Sequence, residues 1–120
     1  FVKKPKEVAA DDKIVDIGPD TIALIAPHLE RAQFIIWNGP TGLYEDGYNG
    51  PTLDIAKIME EATARGATTI VGGGDTLAAI SSLKLEDKFT FVSSAGGAML
   101  EFLAKGTLPG IEALEDASVR

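Results

Sequence analysis

The chain has 120 residues, 45% of them apolar and 24% charged, with a formal net charge of −7. These values are ordinary for one soluble globular domain, and the negative charge argues against a nucleic-acid or anionic-membrane partner. The sequence has no cysteine, which excludes disulfides and thiolate-bound metals, and no apolar run approaches the roughly 18 residues of a membrane-spanning helix. The chain begins at Phe1 without a signal segment, so we expect a truncated or processed cytoplasmic protein.

The first part of the chain predicts two strands with a helix between them. Residues 13–17 (KIVDI) are predicted to form a strand, and a helix with one apolar face follows over about 20–32. Pro27 lies inside that helix and is expected to kink it or to mark a restart, because an interior proline costs about 3 kcal/mol. Residues 34–37 (FIIW) are apolar at every position, which is typical of a strand covered on both faces.

The second part of the chain repeats this alternation. A helix is predicted over residues 51–66, with proline in its first turn and glycine at its end. Strands are predicted at 68–71 and 89–92. The helix after the first of these strands is predicted to begin near Asp75, and the helix after the second to end at Gly106. The spacing predicts an α/β fold: a parallel sheet of about four strands with crossover helices, forming a Rossmann-like three-layer half-domain.

Three of the predicted strand-to-helix turns are rich in glycine: residues 38–42 (NGPTG), 72–75 (GGGD) and 95–97 (AGG). Ligands of open parallel sheets bind at the carboxyl ends of the strands, where helix N-termini direct free N–H groups at anions. A single turn of this kind has a purely structural explanation, since strand-to-helix turns often need glycine. Three such turns in series favour a phosphate-binding site.

Two common nucleotide fingerprints are missing. A dinucleotide G-x-G-x-x-G beginning at Gly72 would need glycine where the chain has Leu77, and no Gly-Lys-Ser/Thr P-loop occurs. None of the 11 lysines and arginines lies in the three glycine turns. Because phosphoryl transfer needs cations around the transferred group, either the chain only binds its ligand or sequence outside it supplies the cations.

Two carboxylates beside the turns have alternative roles. Asp75 stands at the mouth of a helix, where it is either an N-cap, worth about 1 kcal/mol, or a ligand of Mg²⁺ carried on a nucleotide. Glu45 lies in a glycine-containing loop and is either a solvated acid or an acceptor for sugar hydroxyls.

Four motifs in a fixed order carry a family resemblance. They are DIGP at residues 16–19, WNGPTGLYE at 37–45, VGGGDT at 71–76, and SSAGGAMLE at 93–101 followed by LPG at 108–110. Together they cover nearly the whole chain and resemble the corresponding motifs of phosphoglycerate kinases. Residues 1–120 are similar to the C-terminal part of that family's nucleotide-binding domain, so the N-terminal domain and the first part of this domain would be absent from the chain.

The resemblance implies a glycolytic phosphotransferase. Such an enzyme transfers a phosphoryl group between 1,3-bisphosphoglycerate and ADP, giving 3-phosphoglycerate and ATP, with Mg²⁺ bound to the nucleotide. The expected partners are ATP or ADP, phosphoglycerate and the remainder of the same polypeptide, in a monomeric parent, without nucleic acid or membrane. We expect the chain to be inactive alone. The alternatives are a non-catalytic α/β module that binds a nucleotide or anion, and a purely structural fragment.

The resemblance also implies roles for individual residues. The nucleotide-binding set is Asn38, Leu43, Glu45, Gly72, Gly73, Gly74, Asp75 and Thr76. Within this set Glu45 matches the ribose acceptor, Leu43 lies beside the base, and Asp75 is the metal ligand. Gly96 and Gly97 match the catalytic glycines that hold the transferring phosphoryl group.

One position departs from the family pattern beside those catalytic glycines. Ala95 stands where the family has glycine. A side chain restricts the backbone more than glycine does, so we expect Ala95 to affect the positioning of the phosphoryl group.

Overall fold

A parallel β-sheet forms the centre of the computed structural model, which describes residues 1–118. Within these residues the sheet has three strands: β1 (Phe34–Asn38), β2 (Thr68–Gly72) and β3 (Phe91–Ser93). They are hydrogen-bonded in the order β1-β2-β3, with both pairs parallel. The fold is therefore α/β, as the alternation of apolar segments predicted.

The described part of the chain has five α-helices. They are α1 (Pro19–Arg31), α2 (Gly50–Ala64), α3 (Gly74–Ser82), α4 (Gly96–Lys105) and α5 (Pro109–Ser118). α2 and α3 are the crossovers that connect successive parallel strands. Every helix in residues 1–118 is too short or too polar to cross a lipid bilayer.

One face of the sheet packs on helices and forms the core. Ile35 and Trp37 alternate along β1 toward this face and are buried, as is Val71 of β2. They meet fully or almost fully buried side chains of two helices, Met59 of α2 and Ile80 of α3. Side chains of a strand alternate between its two faces, so the other residues of these strands point away from this core.

The opposite face of the sheet is apolar and uncovered. Phe34 and Phe91 are each 58% exposed, and Ile36 is 40% exposed. Ile36 pairs with Ile70, which in turn pairs with Phe91, so these side chains form a row across the three described strands. The prediction that residues 34–37 are covered on both faces is therefore wrong for the described chain.

The predicted strand at residues 13–17 is also wrong. This segment is irregular and does not join the sheet, because the Val15 carbonyl instead accepts the Leu43 N–H at 2.8 Å. The sheet of residues 1–118 therefore has three strands rather than about four. α1 continues through Pro27 to Arg31 without the predicted restart.

The end of the chain also differs from the sequence-based expectation. β3 begins at Phe91 rather than at residue 89, since Thr69 and Thr90 exchange side-chain-to-backbone hydrogen bonds of 3.0 and 3.2 Å at that point. α5 had no predicted counterpart.

The uncovered sheet face should make the chain self-associate, because apolar patches and strand edges promote association. The double substitution of Ile36→Thr and Phe91→Thr removes much of that patch. It should shift the chain toward the monomer in sedimentation velocity, with only a small change in unfolding free energy. Leu24→Gln, a change at an equally apolar residue of α1 that is 72% exposed, should leave association at the parent level. An unsubstituted 120-residue chain that stays monomeric at high concentration would contradict this prediction.

Candidate functional site

The three strands end at one edge of the sheet. Asn38 is the last residue of β1 and pairs in register with Gly72, the last residue of β2. Gly72 pairs in turn with Ser93, the last residue of β3. The predicted convergence of the three glycine turns is therefore present at this edge, where ligands of parallel sheets bind.

All three turns are in contact beside Gly96. A Cβ atom added to Gly96 would lie 2.5 Å from Asn38 Oδ1 and 2.6 Å from the Cα atom of Gly73. Neither distance is compatible with a side chain, so only glycine permits α4 to begin here. Gly73 has φ +94°, a conformation that favours glycine. Asn38, Gly73 and Gly96 thus form one packed unit.

The Asn38 amide is enclosed by this unit. Its Oδ1 atom is buried and has no hydrogen-bond partner within residues 1–118. Leaving such an oxygen without a donor costs about 1–3 kcal/mol, and each such group in a folded protein needs an explanation. Asn38 lies at the carboxyl end of β1, where ligands of parallel sheets bind.

Thr76 lies below the surface of the site. It is completely buried in the first turn of α3, and its Oγ1 accepts the Gly39 N–H at 2.8 Å. Gly39 is held from its other side, since its carbonyl accepts the Trp37 indole N–H at 2.7 Å. The Thr76 side chain therefore connects α3 to the turn after β1.

Asp75, unlike Thr76, is exposed, as is Gly74 beside it. The N-cap of α3 is Gly73, and that cap has no side-chain hydrogen bond in the described residues. The N-cap alternative for Asp75 is therefore wrong, because Asp75 is the second residue of the helix. A carboxylate in a first helical turn is favourable to the helix dipole by about 0.3–1 kcal/mol.

The remaining glycines of the site differ in exposure. Gly72 is buried, and the methyl group of Met99 would lie 2.7 Å from a Cβ atom there. Gly97 is exposed, and a Cβ atom at this position would meet nothing within 4 Å. Ala95, the N-cap of α4, has φ −100°. This φ lies outside the left-handed region that favours glycine.

Leu43 and Glu45 lie in the loop after β1. Leu43 is 39% exposed, and Glu45 is exposed on the 3₁₀ turn Tyr44–Asp46. A cavity of about 350 Å³ lies beside Leu43, lined by residues 14–17 and 41–43. Residues 14–17 form one side of this cavity. No role was predicted for them from the sequence, although the DIGP motif begins at Asp16.

Asp75 is the one carboxylate within the three glycine turns that could bind a cation. Residues 1–118 contain no cluster of three or more acidic or histidine side chains that could enclose a metal ion. Mg²⁺ that is carried on phosphates needs only one or two protein carboxylates. The exposed Asp75 fits that requirement, whereas a metal site formed by protein groups alone does not fit the described residues.

Comparisons with known proteins identify the same family throughout. The chain is 52% identical over 103 residues to the phosphoglycerate kinase of Chlorobium phaeobacteroides, which covers 85% of this chain and 26% of that protein. It is 47% identical over 106 residues to the phosphoglycerate kinase of Chloroflexus aggregans, and this match covers 88% of this chain and 26% of that protein. The chain thus spans about a quarter of the length of these curated relatives.

A solved structure gives the same result. The phosphoglycerate kinase of Coxiella burnetii superposes with a TM-score of 0.80 at 42% identity, covering 93% of this chain and 28% of that one. A sequence profile described as phosphoglycerate kinase matches residues 1–106. The chain belongs to the phosphoglycerate kinase family.

Proposed function

We propose that residues 1–120 form the C-terminal part of the nucleotide-binding domain of a phosphoglycerate kinase. In this role the chain binds ATP or ADP while a phosphoryl group passes between 1,3-bisphosphoglycerate and ADP. The observation that carries the proposal is the contact between Gly73 and Gly96 beside Asn38. This contact brings the N-termini of two helices to one edge of a parallel sheet.

The helix N-termini supply donors for phosphate oxygens. The first intrahelical hydrogen bond of α3 runs from the Leu77 N–H to the Gly73 carbonyl, at 2.9 Å. In α4 it runs from the Met99 N–H to the Ala95 carbonyl, at 2.6 Å. The amides that precede these donors in each helix point out of its N-terminus, where the helix dipole favours anions. Phosphate groups are the anions that this arrangement suits.

The exposed and the buried residues then have different tasks. Gly74 and Gly97 present backbone N–H groups without a side chain in the way, and we assign the transferring phosphoryl group to the α4 end with Gly96 and Gly97. Gly72 and Thr76 are buried, and we propose that they position the turns rather than contact phosphate directly. We propose that Asn38 orders the turns and that its amide NH₂ group, which is a donor, serves the phosphate side.

Asp75 is the proposed contact to Mg²⁺. Mg²⁺ bound to the phosphates supplies positive charge that offsets the charge developing on the transferred group. Without the cation, the Asp75 carboxylate would repel the phosphates that α3 attracts. Asp75 therefore makes nucleotide binding at this edge dependent on the metal.

The nucleoside is assigned to the loop after β1. Glu45 exposes its carboxylate on a turn, and a carboxylate accepts hydrogen bonds from hydroxyl groups such as those of ribose. Leu43 presents an apolar surface beside the cavity of about 350 Å³, which suits the flat face of a base. A nucleotide would thus extend from this loop to the helix N-termini.

The rest of the polypeptide completes the enzyme. The three turns contain no lysine or arginine, so the cations that phosphoryl transfer requires come from sequence outside residues 1–120. The uncovered row of Ile36, Ile70 and Phe91 supports a larger domain that packs against this face. We propose that the parent enzyme is monomeric and cytoplasmic, and that the chain alone is inactive.

Asp75→Asn should lower Mg²⁺-dependent nucleotide affinity and turnover of the complete polypeptide by one to two orders of magnitude, roughly 1.4–2.7 kcal/mol. The substitution removes a charged oxygen ligand but keeps the shape of the side chain. Binding of metal-free nucleotide, measured by calorimetry, should stay unchanged or improve.

Asp20→Asn is the matched control for this test, because Asp20 is the second residue of α1 as Asp75 is of α3. It should leave both affinities at the parent level. A Mg²⁺ dependence of Asp75→Asn equal to that of the parent would remove Asp75 from the metal site.

Glu45→Gln should weaken nucleotide binding by about 1–2 kcal/mol, because a neutral acceptor replaces a charged one at the ribose hydroxyls. The loss should be much smaller for a deoxyribose nucleotide that lacks the bonded hydroxyl. Asp46→Asn removes the same charge from the same turn and should have little effect. Equal losses with ribose and deoxyribose nucleotides would contradict the ribose assignment.

A further inference from the structure

Asp16 connects the irregular segment before α1 to the loop after β1. Its Oδ1 atom accepts two hydrogen bonds, from the Thr41 hydroxyl at 2.8 Å and from the Ile17 N–H at 2.7 Å. The residue lies 25 positions from Thr41 in sequence, so the bond is a tertiary constraint rather than a local turn. It joins the two sides of the cavity formed by residues 14–17 and 41–43.

Thr41 transmits this constraint to α2. The Thr41 N–H donates to Thr52 Oγ1 at 3.1 Å, and the two hydroxyl oxygens are also 3.1 Å apart. Since Thr41 gives its only hydroxyl proton to Asp16, Thr52 is the donor between the two hydroxyls. Thr52 is completely buried in α2. Asp16, Thr41 and Thr52 therefore form a chain of hydrogen bonds that ends in a fixed helix.

The backbone beside Thr41 is also fitted to Asp16. A Cβ atom at Gly42 would overlap the Asp16 carboxyl group and would lie 2.6 Å from the Val15 carbonyl oxygen. That carbonyl accepts the Leu43 N–H at 2.8 Å. The position of Leu43, and with it the turn that carries Glu45, is thus set against the segment that contains Asp16.

The second carboxylate oxygen of Asp16 does not contribute to this network. Oδ2 is buried and has no hydrogen-bond partner within residues 1–118. A buried oxygen without a donor is unfavourable for stability. Both hydrogen bonds of Asp16 are thus made by Oδ1, the oxygen that holds Thr41. This indicates that Asp16 fixes the position of Thr41.

We propose that Asp16 is a positioning residue for nucleotide binding, acting through Thr41 on the loop that holds Leu43 and Glu45. The inference rests on the proposed function, since it assigns the nucleoside to that loop. Asp16 itself need not touch the nucleotide. What the interaction requires is an acceptor oxygen at the Oδ1 position, not the negative charge.

Asp16→Ala should raise the KM for the adenine nucleotide in the complete polypeptide about tenfold, because the hydrogen bond that holds Thr41 is lost. The KM for phosphoglycerate and the kcat at saturation should change by less than about twofold, because the helix N-termini are unaltered. Asp16→Asn keeps an acceptor oxygen and should restore the nucleotide KM to within about threefold of the parent. Thr41→Val removes the hydroxyl that donates to Asp16 and accepts from Thr52, and it should raise the nucleotide KM at least as much as Asp16→Ala.

Amide hydrogen exchange of the 120-residue chain provides a readout that does not depend on activity. Asp16→Ala should accelerate exchange of the Thr41 and Leu43 amides while leaving the β2 amides of Ile70 and Val71 at the parent rate. A uniform acceleration across the chain, or a nucleotide KM unaffected by Asp16→Ala, would reduce Asp16 to a general stabilising residue and overturn the proposal. Equal losses in Asp16→Ala and Asp16→Asn would also overturn it.

These results separate the inference from the proposed function. If the parent polypeptide binds no adenine nucleotide, the proposed function fails. The exchange rates of Thr41 and Leu43 then still decide whether Asp16 fixes the loop.

Discussion

The site depends on one steric constraint, the close approach of the turns after β2 and β3 to the Asn38 amide. Parallel pairing places the ends of the three described strands at one edge, but pairing alone does not bring the following helices together. The contact of Gly96 with Gly73 and Asn38 does so, because it leaves no space for a side chain. As a result, the N-termini of α3 and α4 lie side by side at the carboxyl end of the sheet.

Glycines of the same motifs serve two different purposes. Gly72 and Gly96 are buried and permit close packing, whereas Gly74 and Gly97 are exposed and leave backbone N–H groups accessible. All four positions lie within two short glycine runs, so the composition of the runs does not separate packing from binding. Burial does separate them, because only Gly74 and Gly97 are exposed.

The sequence predicted that the glycine turns meet at the carboxyl end of the sheet. It did not predict which residues of those turns are exposed and which are buried. Glycine after each strand sufficed to predict converging turns, since parallel strands end at one edge. It could not separate Asp75 from Thr76, because neighbouring residues of a helix differ by about 100° in direction and packing decides which one is exposed. The prediction of a strand at residues 13–17 was wrong. The apolar pattern of that segment does not reveal that the Val15 carbonyl accepts a hydrogen bond from the Leu43 N–H.

The central claim is that Gly96 is a packing position and Gly97 is not, although they are adjacent in α4. Measuring the unfolding free energies of Gly96→Ala and Gly97→Ala in the 120-residue chain tests this claim directly. Gly96→Ala should lose about 1–3 kcal/mol, because the added methyl group collides with Asn38 and Gly73. Gly97→Ala should be neutral or stabilising by up to about 1 kcal/mol, since alanine suits a helix with open space around it. Equal effects of the two substitutions would contradict the account.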